Sequence, residues 1–167
     1  VQRYIGRNVS VDLGKIDAIL PEAEQVKGET FQRTERIKVY ILEVKDSPKG
    51  PRISVSRTHP DLVRRLFEAE IAEVRDGTVE IRAIAREAGS RTKMAVYSND
   101  KTIDAVGSCI GAKGARVNTI VEELGGEKID IVEWSEDPAK FIAASLSPAT
   151  VIKVVIEDLE GKSCRVT

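Results

Sequence analysis

Aromatic side chains make up only 4% of the 167 residues, and the chain holds one histidine, two cysteines, one methionine and one tryptophan. Each scarcity closes a route. Two cysteines, Cys109 and Cys164, are too few for a disulfide framework, and with His59 they cannot complete a four-ligand zinc site without carboxylates. A catalytic triad or Cys-His pair would have to use His59, which stands in no motif for that chemistry. No apolar run approaches the ~18 residues of a spanning helix, and no basic-then-apolar leader opens the sequence. No membrane, metal or cofactor is therefore expected, His-dependent catalysis is not expected, and a reducing cytoplasm is the expected compartment.

What is present is 41% apolar and 32% charged residues, enough to build packed cores. The net charge of −1 conceals an asymmetry. Residues 1–66 carry 13 Lys and Arg against 9 Asp and Glu, whereas residues 67–133 carry 9 against 13. A basic face on the first module follows from that imbalance.

The first sixty residues read as short strands. Val9, Val11 and Leu13 alternate with polar neighbours, Ile37, Val39, Ile41 and Val44 form a second run, and Ile53 and Val55 a third. The turn formers Asp46 to Pro51 separate the last two. With the opening Val1 to Ile5 segment, this spacing predicts a small OB-type β-barrel over 1–59.

After Pro60 the period changes to helical. Asp61 is expected to cap a helix carrying Leu62, Val63, Leu66 and Phe67 on one face. Strands at Thr78 to Ala85 and Lys93 to Ser98 follow, then a helix from Ile103, a glycine break at Gly111 to Gly114, a helix over Arg116 to Leu124 ended by Gly125-Gly126, and a strand at Lys128 to Val132. This unit is assigned to 60–134. From 135 to 167 the helix, strand, strand order restarts, with Asp137-Pro138 as cap and first turn. The restart stops before its own glycine break, so the third unit is expected to be the opening part of a second such domain.

Ile110-Gly111-Ala112-Lys113-Gly114-Ala115-Arg116-Val117 fits I-G-x-x-G-x-x-V between two helices, the pattern of a KH domain. Such turns clamp the backbone of about four single-stranded nucleotides. Glycines let main-chain N–H groups approach phosphates, and the following helix start favours negative charge. The candidate RNA-binding residues are Ile110, Gly111, Ala112, Lys113, Gly114, Arg116 and Val117; Val106, Ile110, Val117 and Ile120 are expected to pack the helices, with part of the groove beside them receiving the bases. On the barrel, Arg3, Tyr4, Arg36, Lys38, Arg52 and Arg57 are the candidate RNA-facing residues. Glu133, Glu136 and Asp137 near Trp134 read as caps and solvated charge rather than a metal or acid/base site. Trp134 is expected to anchor the junction between two units.

Four strings carry a wider resemblance: Ile53 to Pro60, Ala85 to Lys93, the GxxG string, and Glu123 to Trp134. They resemble the NusA family of bacterial transcription elongation, termination and antitermination factors. The resemblance implies an S-one-type OB barrel followed by KH domains of the type II topology, an all-β plus α+β architecture. It also implies a non-enzymatic role: binding nascent single-stranded RNA while RNA polymerase, contacted mainly through a domain outside this sequence, pauses, terminates or reads through with other Nus factors. An alternative is the RNA-binding accessory region of an exoribonuclease, although there the KH domain precedes the barrel. A protein-docking scaffold is the third possibility. The short, glycine-poor junctions at 58–60 and 134–138 predict a fairly rigid array.

Overall fold

Five short strands open the chain, in a computed structural model that describes residues 1–167. They are β1 (Arg3–Ile5), β2 (Asn8–Asp12), β3 (Asp17–Leu20), β4 (Tyr40–Lys45) and β5 (Arg52–Ser56), in the sheet order β1-β2-β3-β5-β4. All pairings are antiparallel except β3 with β5, which meet in parallel at Ile19 and Ser54. The curled sheet closes over Val9, Val11, Ala18, Leu20, Phe31 and Val55. Val9 and Val11 point inward because successive side chains of a strand alternate faces. Ser10 is also buried, its hydroxyl donating to Gln2 Oε1 at 2.7 Å.

Two expectations for the barrel need correction. The run Ile37 to Val44 is not one strand: Ile37 and Val39 precede β4 and pack on the barrel core, while Ile41 and Val44 are exposed on β4 itself. A bulge between Ile41 and Glu43 shifts the register of β4 against β5. β3 was not anticipated, because Asp-Ala-Ile-Leu is too short to show a period.

The second unit comprises α1 (Pro60–Glu70), α2 (Ala72–Arg75), β6 (Val79–Glu87), β7 (Arg91–Ser98), α3 (Ala105–Ile110), α4 (Ala115–Glu123) and β8 (Lys128–Glu133). Its sheet runs β6-β7-β8, with β6 antiparallel to β7 and β7 parallel to β8. One face carries the helices over a core that includes Leu62, Val63, Phe67, Ile71, Met94 and Ile120. Phe67 is fully buried, and its truncation to Ala should cost about 3–5 kcal/mol.

The cap of α1 is His59, not Asp61. The Asp61 N–H donates to His59 Nδ1 at 3.0 Å, and Pro60 occupies the first helical position, where its missing N–H costs nothing. The His59 ring also stacks on Tyr40 at 4.6 Å between centroids and 14° between planes. At the end of α4, Gly125 N–H donates to the Glu122 carbonyl and Gly126 N–H to that of Val121, the paired bonds of a Schellman stop. Both glycines have positive φ.

The last unit comprises α5 (Pro138–Ser145), β9 (Val154–Asp158) and β10 (Ser163–Val166), with Asp137 accepting from Ala139 N–H as the cap. Trp134 lies between Tyr97 of β7 and Phe141 of α5, and the Arg82 guanidinium sits 4.2 Å from the Tyr97 ring centre and 4.3 Å from that of Trp134. No helix is long and apolar enough to cross a membrane.

Candidate nucleic-acid interface

Between α3 and α4 the backbone makes a turn open to few residue types. Gly111 has φ 76° and ψ 174°, a region used essentially by glycine alone, and Gly114 is left-handed at φ 79° and ψ 12°. Space agrees with torsion at Gly111: a Cβ there would lie 2.7 Å from Arg116 Cγ and 3.0 Å from Arg116 N. At Gly114 a Cβ would meet Asn118 Nδ2 at 3.3 Å. The two glycines are thus fixed by the backbone path itself.

Between them stand Ala112 and Lys113, both exposed, and Lys113 is itself left-handed at φ 53°. The turn closes with Gly114 N–H donating to the Gly111 carbonyl at 3.1 Å. It delivers the chain directly into α4, whose N-terminal end carries partial positive charge. An exposed ammonium, a tight glycine turn and a helix start converge on one surface.

The aliphatic flank is divided. Ile110 is 36% exposed beside the turn, Val106 and Val117 are half-buried against the core, and Ile120 is core. Ile120 therefore supports the groove from beneath and has no surface to offer a base. Cys109 is fully buried, and burial pushes its thiol up to about 11. Arg116 is engaged: its Nη1 donates to the Ser108 carbonyl at 2.9 Å and pairs with Glu73 of α2 at 3.1 Å.

On the barrel, Arg3, Tyr4, Arg36, Lys38 and Arg52 are exposed at least in part. The Tyr4 hydroxyl accepts from Phe31 N–H at 3.0 Å, so that ring is tethered at its polar end. Arg3, Arg36 and Lys38 line a broad open groove of about 1210 Å³, but Asp12, Asp17, Glu35 and Glu123 line it too. Arg52 begins β5 opposite Lys45.

Arg57 does not face outward. Its side chain is 3% exposed and donates to the carboxylate of Glu29, to Glu123 Oε1 at 3.2 Å, and to the carbonyls of Lys38 at 2.8 Å and Glu123 at 3.0 Å. Burying a guanidinium demands this degree of pairing, and a group so satisfied has nothing left for a phosphate. Its role is to lock the barrel to α4. A second buried pair lies within the second unit. Glu127 receives Arg86 at 3.0 Å, Gly89 N–H at 2.7 Å and the Thr92 hydroxyl at 2.7 Å, while Arg86 Nη1 reaches the His59 carbonyl at 2.9 Å. Sequence reasoning missed both networks as structure, because the partners are 66 and 41 residues apart.

Comparison with known proteins gives these features a lineage. Residues 57–134 match the family model described as the NusA-like first KH domain. Over 160 residues the chain is 53% identical to the transcription termination/antitermination protein NusA of Bacillus subtilis, covering 96% of this chain and 43% of that protein. It is 52% identical over 160 residues to the protein of that name in Halalkalibacterium halodurans, again 96% of this chain but 42% of the relative. For the Thermus thermophilus protein the figure is 47% over 159 residues, 95% of this chain and 41% of the relative. The chain spans about two fifths of the length of these relatives. An OB-type barrel, a KH unit with its GxxG turn, and this similarity along the whole shared segment place the chain in the NusA family.

Proposed function

We propose that this chain is the RNA-binding region of a transcription factor, which holds nascent single-stranded RNA while RNA polymerase pauses, terminates or is carried through a terminator. The carrying observation is the turn at Gly111 to Gly114: glycine-only backbone, an exposed Lys113 and the start of α4 in one place. RNA phosphates fit against the turn, Ile110 and Val117 offer apolar contact to bases, and Arg3, Arg36 and Lys38 extend the track along the barrel. The names of the relatives, transcription termination/antitermination protein NusA, support a role in termination and antitermination; RNA polymerase and other Nus factors are the partners this reading assigns, and the cytoplasm its site of action. The names also favour this role over an exoribonuclease accessory region.

Gly114→Asp is the sharper test of the turn. Aspartate tolerates left-handed backbone better than most residues, so the fold survives while a carboxylate meets the phosphates. Anisotropy titration with short single-stranded RNA should show a loss of binding of at least about tenfold, the equivalent of ~1.4 kcal/mol. Unchanged affinity in a folded variant would remove the turn from the interface.

A further inference from the structure

The two residues between the glycines have little to hold them. Gly111 and Gly114 take conformations that glycine enters freely and leaves as freely, so the turn's shape has to come from its surroundings. One side chain reaches all of those surroundings. The stem of Arg116 packs directly beneath Gly111, close enough that a Cβ there would collide with it. Its Nη1 donates at 2.9 Å to the Ser108 carbonyl in the last turn of α3, and Glu73 Oε2, 3.1 Å away, draws the same nitrogen toward α2.

Arg116 thus joins the first turn of α4, the end of α3 and the short helix α2 around the glycine turn. Lys113 contrasts with it: exposed, at the tip, and in no ion pair. Binding to a preformed turn avoids the ordering cost that a loose one would incur.

We propose that Arg116 and Glu73 act together as positioning residues that hold the glycine turn in its binding shape, and that Arg116 makes no phosphate contact of its own. The proposal rests on the RNA-binding reading above for its affinity arm. It assigns a purpose to α2, a four-residue helix that contributes only Val74 to the core.

The test uses the whole chain and a degenerate single-stranded RNA octamer, with anisotropy titrations across a salt series. Arg116→Ala and Glu73→Gln should each weaken binding about three- to tenfold, as expected for loss of an ordinary net hydrogen bond, this ion pair being partly exposed. Neither should change the salt slope, whereas Lys113→Ala should reduce it by ~0.7 for one lost phosphate contact on a single strand. Arg116→Lys, which keeps the stem and one donor, should retain most of the affinity. A slope reduced by ~0.7 in Arg116→Ala would show a phosphate contact and overturn the proposal. So would unchanged or tighter binding by Glu73→Gln, because freeing a phosphate-binding guanidinium strengthens its attraction for RNA.

Amide spectra of the free proteins separate this idea from the RNA reading and serve even if Arg116→Ala does not fold. Glu73→Gln should move the Gly111, Ala112 and Lys113 resonances, and a spectrum unchanged there would overturn the staple whatever the RNA result. Failure of the unaltered chain to bind any octamer would instead overturn the RNA reading.

Discussion

The Arg57 guanidinium donates to the main-chain carbonyl of Glu123 at 3.0 Å, across 66 residues of sequence. That bond joins the exit of the barrel to the last turn of α4, the helix that begins at the glycine turn. Glu123 is held a second time through its side chain, which accepts from Lys38 N–H at 2.8 Å. The barrel and the glycine turn are therefore tied to one another through α4.

Arg57→Ala should accordingly destabilise the chain by on the order of 3 kcal/mol, the lower end of the range for breaking a buried pair, because Glu29 and Glu123 keep some contact with water. Urea denaturation followed by circular dichroism measures this. Hydrogen exchange at the Lys38 amide should accelerate in the same variant, and a loss below about 0.5 kcal/mol, typical of a surface substitution, would contradict the lock.

A larger penalty is expected at Arg86 and Glu127, whose side chains are 1% and 0% exposed. Glu127→Gln keeps the shape but leaves the guanidinium buried without a counter-charge, and about 3–5 kcal/mol should be lost. Replacing Arg86 and Glu127 together by apolar residues should cost less than the two single losses combined, a coupling that a double-mutant cycle reads directly.

Acid should weaken the fold through Asp130. Its hydrogen bond with Arg91 holds the carboxyl below the ordinary value of 3.8, and the pair is 2.5 Å apart between β7 and β8. A depressed folded value means stability that is present above the unfolded pKa and lost as pH falls through the folded one. Glu73, held low first by a backbone hydrogen bond and then by Arg116, adds to the same window. Midpoints of thermal unfolding should therefore fall as pH drops from about 5 toward 3, and Asp130→Asn should flatten that dependence. An identical pH profile for the variant would contradict the assignment.

Cys109 and Cys164 should differ in reactivity. Burial raises the Cys109 thiol to about 11 and removes access, whereas Cys164 on β10 is half-buried. Near neutral pH, a disulfide reagent should label Cys164 while Cys109 waits for unfolding. Labelling of both at equal rates in the native protein would show that α3 opens.

Much of this fold is written in local pattern, and the misses have a common cause. Val9 and Val11, the α1 face of Leu62, Val63 and Phe67, the Gly125-Gly126 stop and the Asp137 cap all declare themselves within a few residues. The glycine turn was legible for the same reason: Gly111 and Gly114 stand three residues apart, and the whole pattern spans only eight. Arg57 looked like one more exposed cation because its partners lie in the loop around Glu29 and in α4. Asp61 had the right chemistry for a cap, yet Pro60 set the helix start two residues earlier and passed that role to His59. Arg116 belonged to the recognised motif, but that α2 would supply Glu73 depends on helix packing that no local period encodes.

The central claim is that RNA is held at the Gly111 to Gly114 turn. Titration of isotope-labelled chain with a degenerate single-stranded RNA octamer, followed by amide spectra, tests it most directly. The account predicts that the Gly111, Ala112, Lys113 and Gly114 resonances shift first and furthest, and that Gly114→Asp abolishes those shifts while the rest of the spectrum stays folded. Shifts confined to the barrel, with the glycine turn unmoved, would contradict it.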